Sequence, residues 1–226
     1  VTTSDAGSGV GYTGIRVRGS DATRVNVTIN GIPYNDSESQ GTFWVNMPDL
    51  ASSIQSVQVQ RGVGTSTNGA GAFGASVNLQ TNTRNDEAYA DMINSFGSFN
   101  TRRHTVAFGT GLLNNQFVFD GRISQIASDG FIDRASSDLK SYYLSGGYYG
   151  KKTMIKAIVF GGKEITYQSW YGVPESRLND DTEAMLETVA IEGWNQEQTD
   201  NLLSSGRTFN IYTYDNQVDN YAQDHY

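Results

Sequence analysis

The sequence predicts a mainly β protein in two unlike parts. A small, turn-rich α+β unit comes first, followed by antiparallel strands of membrane-spanning length that form an incomplete barrel. Two observations carry the prediction. Residues 86–162 hold five alternating runs of roughly ten residues, joined by connections that alternate in length. Residues 1–83 are instead rich in Gly, Ser, Thr and Asn, with short β-like runs between turns. No window approaches eighteen apolar residues, so no transmembrane helix is expected.

The elements follow in order. Thr13–Arg18 reads as a strand, and Arg24–Ile29 alternates Val25, Val27 and Ile29 with polar residues. Asn30-Gly31 then supplies the strongest two-residue hairpin signal, because both central positions of that turn need positive φ. Met47-Pro48-Asp49-Leu50-Ala51 reads as a short helix with Pro in its first turn. Ile54–Arg61 alternates again, and Ser76–Thr81 is a further short strand.

The second part begins with Ala88, Ala90, Met92 and Phe96 on one face, then Val106, Phe108 and Leu112. Phe117–Gln125 is clearest: Phe117, Phe119, Gly121 and Ile123 oppose Asp120, Arg122 and Ser124. Tyr142, Leu144, Gly146 and Tyr148 oppose Ser141 and Ser145, and Ile155, Ala157 and Val159 continue the pattern. Leu113–Gln116 and Gly150–Lys152 are tight turns, whereas the segments at 127–138 and after Ile165 are longer. Tyr89, Phe96, Tyr142, Tyr148 and Tyr149 fall where interfacial girdles sit. A soluble antiparallel sheet is the competing reading, although its strands usually run to about five or six residues. Asp181–Glu192 then has helical spacing at Met185, Leu186 and Val189, with Asp181 as cap, and Asn195–Leu203 reads as a second short helix.

Composition narrows the chemistry. Adding 25 glycines to a hydrophobic fraction of 37% gives an ordinary folded composition for the 226 residues. The net charge of −8 argues against a nucleic-acid partner, which needs concentrated positive charge. With no Cys and two His, neither a thiolate nor a His-rich metal site is expected. The charge is uneven: residues 1–162 hold 13 Lys/Arg against 12 Asp/Glu, and residues 163–226 hold 3 against 12. The acidity therefore belongs to one long loop near 165–216. The absence of a Met start or a cleavable signal, and of a cap at Tyr226, reads as a fragment.

Several motifs invite catalytic readings and fail them. Gly69-Ala70-Gly71-Ala72-Phe73-Gly74 matches G-x-G-x-x-G, but the preceding strand ends near Arg61 and β-like residues follow. The carboxylate pairs Asp36/Glu38, Asp86/Glu87 and Asp180/Asp181 lie on polar stretches, where they are solvated rather than aimed at one bond. No enzymatic step and no cofactor are expected. Tyr167, Trp170, Tyr171 and Trp194 either stack on a planar ligand or anchor the acidic loop.

These residues meet a family. Thr13-Gly14-Ile15-Arg16-Val17-Arg18-Gly19 resembles the I-R-G strand of the plug of TonB-dependent outer-membrane receptors, particularly those of Bacteroidota. Val27–Pro33 resembles its D-G-V-P hairpin, with Asn30 for the usual Asp, followed by Gly31. Ile54–Arg61, Gly62 and the stretch through Gly69, Gly71, Gly74, Asn78 and Thr81 resemble the motif at the plug's end, with Asn68-Gly69 where many members have Tyr-Gly. The resemblance implies residues 1–83 as the C-terminal part of a plug and residues 84–226 as about six first barrel strands.

It further implies an outer-membrane transporter of a Gram-negative bacterium, driven through TonB by way of an N-terminal box absent here. Its partners would be outer-membrane lipid and lipopolysaccharide, a small-molecule ligand and any further chains that complete the barrel. A siderophore-iron, haem or vitamin cargo is preferred, since the D-G-x-P site lacks the apolar run of glycan importers. A glycan importer and a secreted all-β binding module are the alternatives. Arg16, Arg18 and Arg61 are expected inside the lumen, with Asp91 and Asp120 as candidate partners. Candidate substrate contacts are Tyr34, Asn35, Phe43, Trp44, Asn68 and Phe73 from the plug loops, joined by Tyr167, Trp170 and Tyr171.

Overall fold

The structure, a computed structural model, describes residues 2–4, 10, 13–63, 73–81, 84–167, 169, 171–212 and 220–225. Strands β1 (Thr2–Ser4) and β2 (Thr13–Ile15) pair antiparallel. The expected strand through Arg18 stops at Ile15. Arg18 and Gly19 both take positive φ (52° and 77°), so Val17–Ser20 is a tight turn closed by Ser20, whose N–H and hydroxyl both donate to the Val17 carbonyl.

A four-stranded sheet follows, in the order β4-β3-β6-β5, from β3 (Val25–Ile29), β4 (Ile32–Pro33), β5 (Ile54–Arg61) and β6 (Ala75–Thr81). Asn30 and Gly31 have φ of 53° and 81°, which fits the predicted hairpin. Asn30 also holds the far end of β6: its Nδ2 donates to Thr81 Oγ1 and its Oδ1 accepts from the Thr81 N–H, both at 3.0 Å. Because β4 is only two residues long, the rest of the β3 edge lacks a strand partner. Asn35 takes that place, accepting from the Val27 N–H at 2.7 Å and donating to the Val25 carbonyl at 2.9 Å.

The predicted helix at Met47–Ala51 is instead two 3-10 turns, Trp44–Asn46 and Leu50–Ser53. Asp49 sits in the left-handed region (φ 53°), which no α-helix can include, so the chain reverses there. Val25, Val27, Ile29, Ala75, Val77 and Leu79 form the core of this small unit with Met47 and Leu50, and Tyr143 from the next sheet completes it.

That next sheet is a wall of six antiparallel strands in sequence order: β7 (Tyr89–Phe96), β8 (Arg102–Gly109), β9 (Phe117–Ser128), β10 (Ser137–Tyr149), β11 (Met154–Tyr167) and β12 (Asn220–His225). One end carries the tight turns at 110–116 and 150–153. The other carries the connections at 97–101, 129–136 and 168–219. The sheet is open among the described residues.

The wall's two faces invert the usual arrangement. Polar residues Asp120, Arg122, Ser124, Ser137, Ser141 and Ser145 are buried against the small unit, while Met92, Phe119, Ile123, Leu144, Ile155 and Val159 point outward and are exposed. This is the polarity of a membrane-spanning strand set around a filled lumen. The outward glycines have a packing role: Phe108, Phe119 and Tyr142 lie directly across from Gly121, Gly146 and Gly161. A Cβ on Gly121 would come within 2.4 Å of the Phe108 ring, so the glycines provide beds for neighbouring aromatics. Of the expected girdle, Phe96 and Tyr148 lie at strand ends on the outward face. Tyr142 is mid-strand, because its ring needs Gly161, and the register turns Tyr89 and Tyr149 inward.

Between β11 and β12 the acidic loop folds into α1 (Glu175–Leu178), α2 (Thr182–Glu192) and α3 (Gln196–Ser204). Asp181 caps α2 as predicted, and Asn195 forms a capping box with Gln198 at the start of α3. The helices share a small core of Met185, Leu202 and Phe209, packed by Val173, Val189, Trp194 and Ile211. Leu186, expected on the apolar face, is exposed, because Met185 and Val189 alone turn inward. Among the described residues no helix is long and apolar enough to cross a membrane.

Candidate functional site at the interface of the small unit and the wall

The left-handed turn at Asp49 aims its carboxylate out of the small unit into the wall, where it is almost fully buried (4% exposed). Two wall arginines meet it: Arg103 on β8 at 2.9 Å and Arg122 on β9 at 3.2 Å. Three hydroxyls complete its coordination. Ser52 donates to Oδ1 at 2.8 Å, while Thr105 and Ser124 donate to Oδ2 at 2.8 and 2.5 Å. Arg122, itself only 3% exposed, spends its other donors on Ser53 Oγ at 2.8 Å and Ser141 Oγ at 3.1 Å, and Arg103 also reaches Ser52. A buried charge is tolerable only when paired and hydrogen-bonded to this degree.

The interface therefore carries a polar cluster where Asp49 meets β8 and β9, beside the apolar contact that Tyr143 of β10 makes with the small unit's core. A cavity of about 110 Å³ beside the ion cluster is lined by Asp91, Asp120, Tyr89, Thr105 and Arg122 among others. Asp120 accepts from the Tyr89 hydroxyl at 3.1 Å and the Ser145 hydroxyl at 3.4 Å. On the β11 side the contact is apolar: a cavity of about 500 Å³ is lined by Ile29, Ile32, Tyr34, Met154, Ile158 and Phe160, with Lys156 donating to Thr81 Oγ1 at 3.0 Å.

The expected charges and the observed ones differ. Arg16, Arg18 and Arg61 are exposed, and Arg61 opens the end of the sheet away from Thr81 and Lys156. Asp120 is occupied by wall hydroxyls. The small-unit carboxylate that reaches into the wall is Asp49, and the arginines that receive it belong to the wall. The signal was present in the alternation of β8 and β9, whose inward positions read Arg103, Thr105 and Arg122, Ser124. It was missed because an Asp after Pro reads as an ordinary turn residue.

The other nominated residues separate into groups. Gly62 donates to the Gly74 carbonyl, and Gly74 donates to the Arg24 carbonyl; a Cβ at Gly74 would lie 2.4 Å from Ser20 Oγ, so this crossing requires glycine. Thr28 donates to Asn78 across the parallel pair. Tyr34 is half-buried against Phe160, with ring centroids 6.0 Å apart, and burial raises its phenol above the ordinary value. Asn35 is consumed by β3, and Trp44 packs against the core. Phe43 and Phe73 keep exposed rings, Phe73 with the Arg24 guanidinium 5.7 Å from its centroid. Tyr167 is buried, whereas Tyr171 stacks edge-on against Trp194 at 5.3 Å and Trp194 meets Phe209. Tyr171 and Trp194 thus pack within the helical cap. Asn68, Gly69, Gly71 and Trp170 lie outside the described residues. Among those described, no group of three or more metal-ligating side chains is placed to hold an ion.

Comparison with known proteins follows the same division. Residues 1–76 match the family described as TonB-dependent Receptor Plug Domain. No curated protein matches the chain. Among solved structures, its fold is similar to that of the ferric yersiniabactin uptake receptor FyuA from Yersinia pestis, with 14% identity and a TM-score of 0.58 over 70% of this chain and 26% of that one. The ferric-catecholate import receptor Fiu from E. coli K12 gives 19% and 0.61, over 89% of this chain and 28% of that one. The pyoverdine outer membrane receptor FpvA from Pseudomonas aeruginosa PAO1 gives 17% and 0.56, over 74% and 25%. This chain spans about a quarter of the length of these receptors.

Proposed function

We propose that this chain, with its first 76 residues matched to the plug family and its strands folded like those receptors, is a plug-and-barrel segment of a TonB-dependent receptor, and that the whole receptor imports a scarce metal chelate across an outer membrane using TonB-transduced energy. The observation that carries the reading is the seating of Asp49. A plug that must part from its wall needs contacts that water can replace. Carboxylate, guanidinium and hydroxyl groups are rehydrated on separation, whereas a dry apolar seam would expose surface at about 25 cal/mol per Å². The metal-chelate cargo is supported by the kind of receptor that shares the fold, including FyuA, Fiu and FpvA. Phe43 and Phe73 are the plug side chains we assign to ligand contact, because their rings remain exposed.

The test is uptake of radiolabelled ferric siderophores by cells whose sole receptor contains this chain, with and without a protonophore. Uptake that the protonophore abolishes supports the reading. Uptake that continues at the same rate overturns it, as does release of the receptor from membranes by carbonate without detergent.

A further inference from the structure

Residues 1–83 contain four basic side chains, all arginines, and the fold gathers them at one end of the small unit. Arg61 ends β5 opposite Ala75, the first residue of β6, and Arg24 stands directly before Val25, which pairs with the same Ala75. The Gly62 N–H donates to the Gly74 carbonyl and the Gly74 N–H to the Arg24 carbonyl, both at 2.8 Å, so the three segments are drawn together. The Val17–Ser20 turn lies against them, since a Cβ on Gly74 would meet Ser20, and it carries Arg18, with Arg16 just before it. The one acid in these stretches is Asp21, held below its ordinary value of 3.8 chiefly by hydrogen bonds from Thr23 and further by Arg16 and Arg24. Among the described residues no carboxylate lies within ion-pair distance of Arg18, Arg24 or Arg61, and all three are exposed.

This end of the small unit is turned toward the long connections of the wall. At the far end Thr81 accepts from Lys156, close to the tight turn at 150–153, whereas Ser137, at the long-loop start of β10, donates to the Val10 carbonyl near β2. Charges of one sign gathered within low-dielectric walls focus their field and draw in a counter-ion. The exposed Phe73 ring, with the Arg24 guanidinium 5.7 Å from its centroid, adds an apolar surface beside the cations.

We infer that Arg18, Arg24 and Arg61 receive a net-negative chelate, one that presents free carboxylate groups to the guanidinium forks and an apolar edge to Phe73. Carboxylate is the class assigned because its two oxygens match the paired N–H donors of each fork. A cationic chelate would meet three guanidinium groups that it cannot neutralise, so the site selects by charge. This inference rests on the import reading and narrows its cargo.

The experiment is equilibrium dialysis of the purified receptor against radiolabelled iron(III) citrate, which is anionic, and the iron(III) complex of desferrioxamine B, which is cationic. The citrate complex should bind more tightly. Arg24→Gln with Arg61→Gln should weaken it about tenfold, while Lys151→Gln with Lys152→Gln, at the tight-turn end, should leave it unchanged. Arg24→Glu with Arg61→Glu should reverse the preference between the two complexes. Unchanged citrate affinity in the glutamine pair overturns the inference, as does equal affinity of the unaltered receptor for both complexes. Full displacement by equimolar iron-free citrate also overturns it, because the site would then take any free polycarboxylate. Uptake by cells is scored separately. Uptake that ignores a protonophore refutes the import reading, whereas protonophore-sensitive uptake with arginine-independent binding refutes only the charged site.

Discussion

Asp49 concentrates the energetics of the interface in one carboxylate. Asp49→Ala would leave Arg122 buried without its counter-charge, which costs about 3–5 kcal/mol. Asp49→Ala combined with Arg122→Met should recover much of that loss, since the orphaned charge is then gone. Chemical denaturation of the purified receptor checks both, and equal destabilisation by the single and double variants would refute the pairing. Asp36 offers a pH test outside the membrane. Its carboxylate accepts from the Ser39 N–H and hydroxyl and from the Glu38 N–H, which hold it below the ordinary value of 3.8. A depressed carboxylate contributes above its unfolded value and loses that contribution as pH falls through the folded one. The protection of the Ser39 amide, its exchange rate relative to the intrinsic rate at the same pH, should therefore fall only below about pH 3.8, and a loss of protection near pH 6 would count against this turn.

The elements differ in how plainly the sequence announces them. Ile54–Arg61 and the Asn30-Gly31 hairpin form as predicted, because alternation and positive φ are local properties. The alternating faces of β7 to β11 were legible for the same reason. The helix expected at Met47–Ala51 failed because the docking of Asp49 on the wall, a tertiary event, selects a left-handed residue there. Asn35 completes a strand edge, and nothing in its sequence neighbours reveals that β4 is too short. Two substitutions test the element-level account. Asn30→Ala removes both bonds to Thr81 from a residue at positive φ and should cost roughly 1–3 kcal/mol, read by thermal unfolding. Gly121→Leu should collide with the Phe108 ring and reduce recovery of heat-resistant folded barrel on gels. Unchanged recovery would show that the aromatic can move aside.

For the whole molecule, the uneven charge read from the sequence becomes a structural division. The near-neutral residues make the plug and wall, and the acidic ones make the helical cap between β11 and β12. The pairing between the small unit and the wall required three dimensions, since Asp49 and Arg122 are 73 positions apart. Removing residues 180–205 should spare insertion and reduce ligand capture, measured as binding of ferric siderophore to whole cells. Equal binding would leave the cap without a part in capture.

The cap is also held in one shape, by bonds within it and to the neighbouring loop. Arg177 donates to the Leu202 and Leu203 carbonyls at the end of α3 and pairs with Asp180, while Asn210 and Thr208 bond the backbone of Asp133 in the neighbouring loop. Such a surface presents one fixed relief to immune recognition. Antibodies raised against the folded chain would contact side chains from three helices at once and would lose their epitope when the chain is boiled in detergent, so short synthetic peptides from this loop would make poor immunogens.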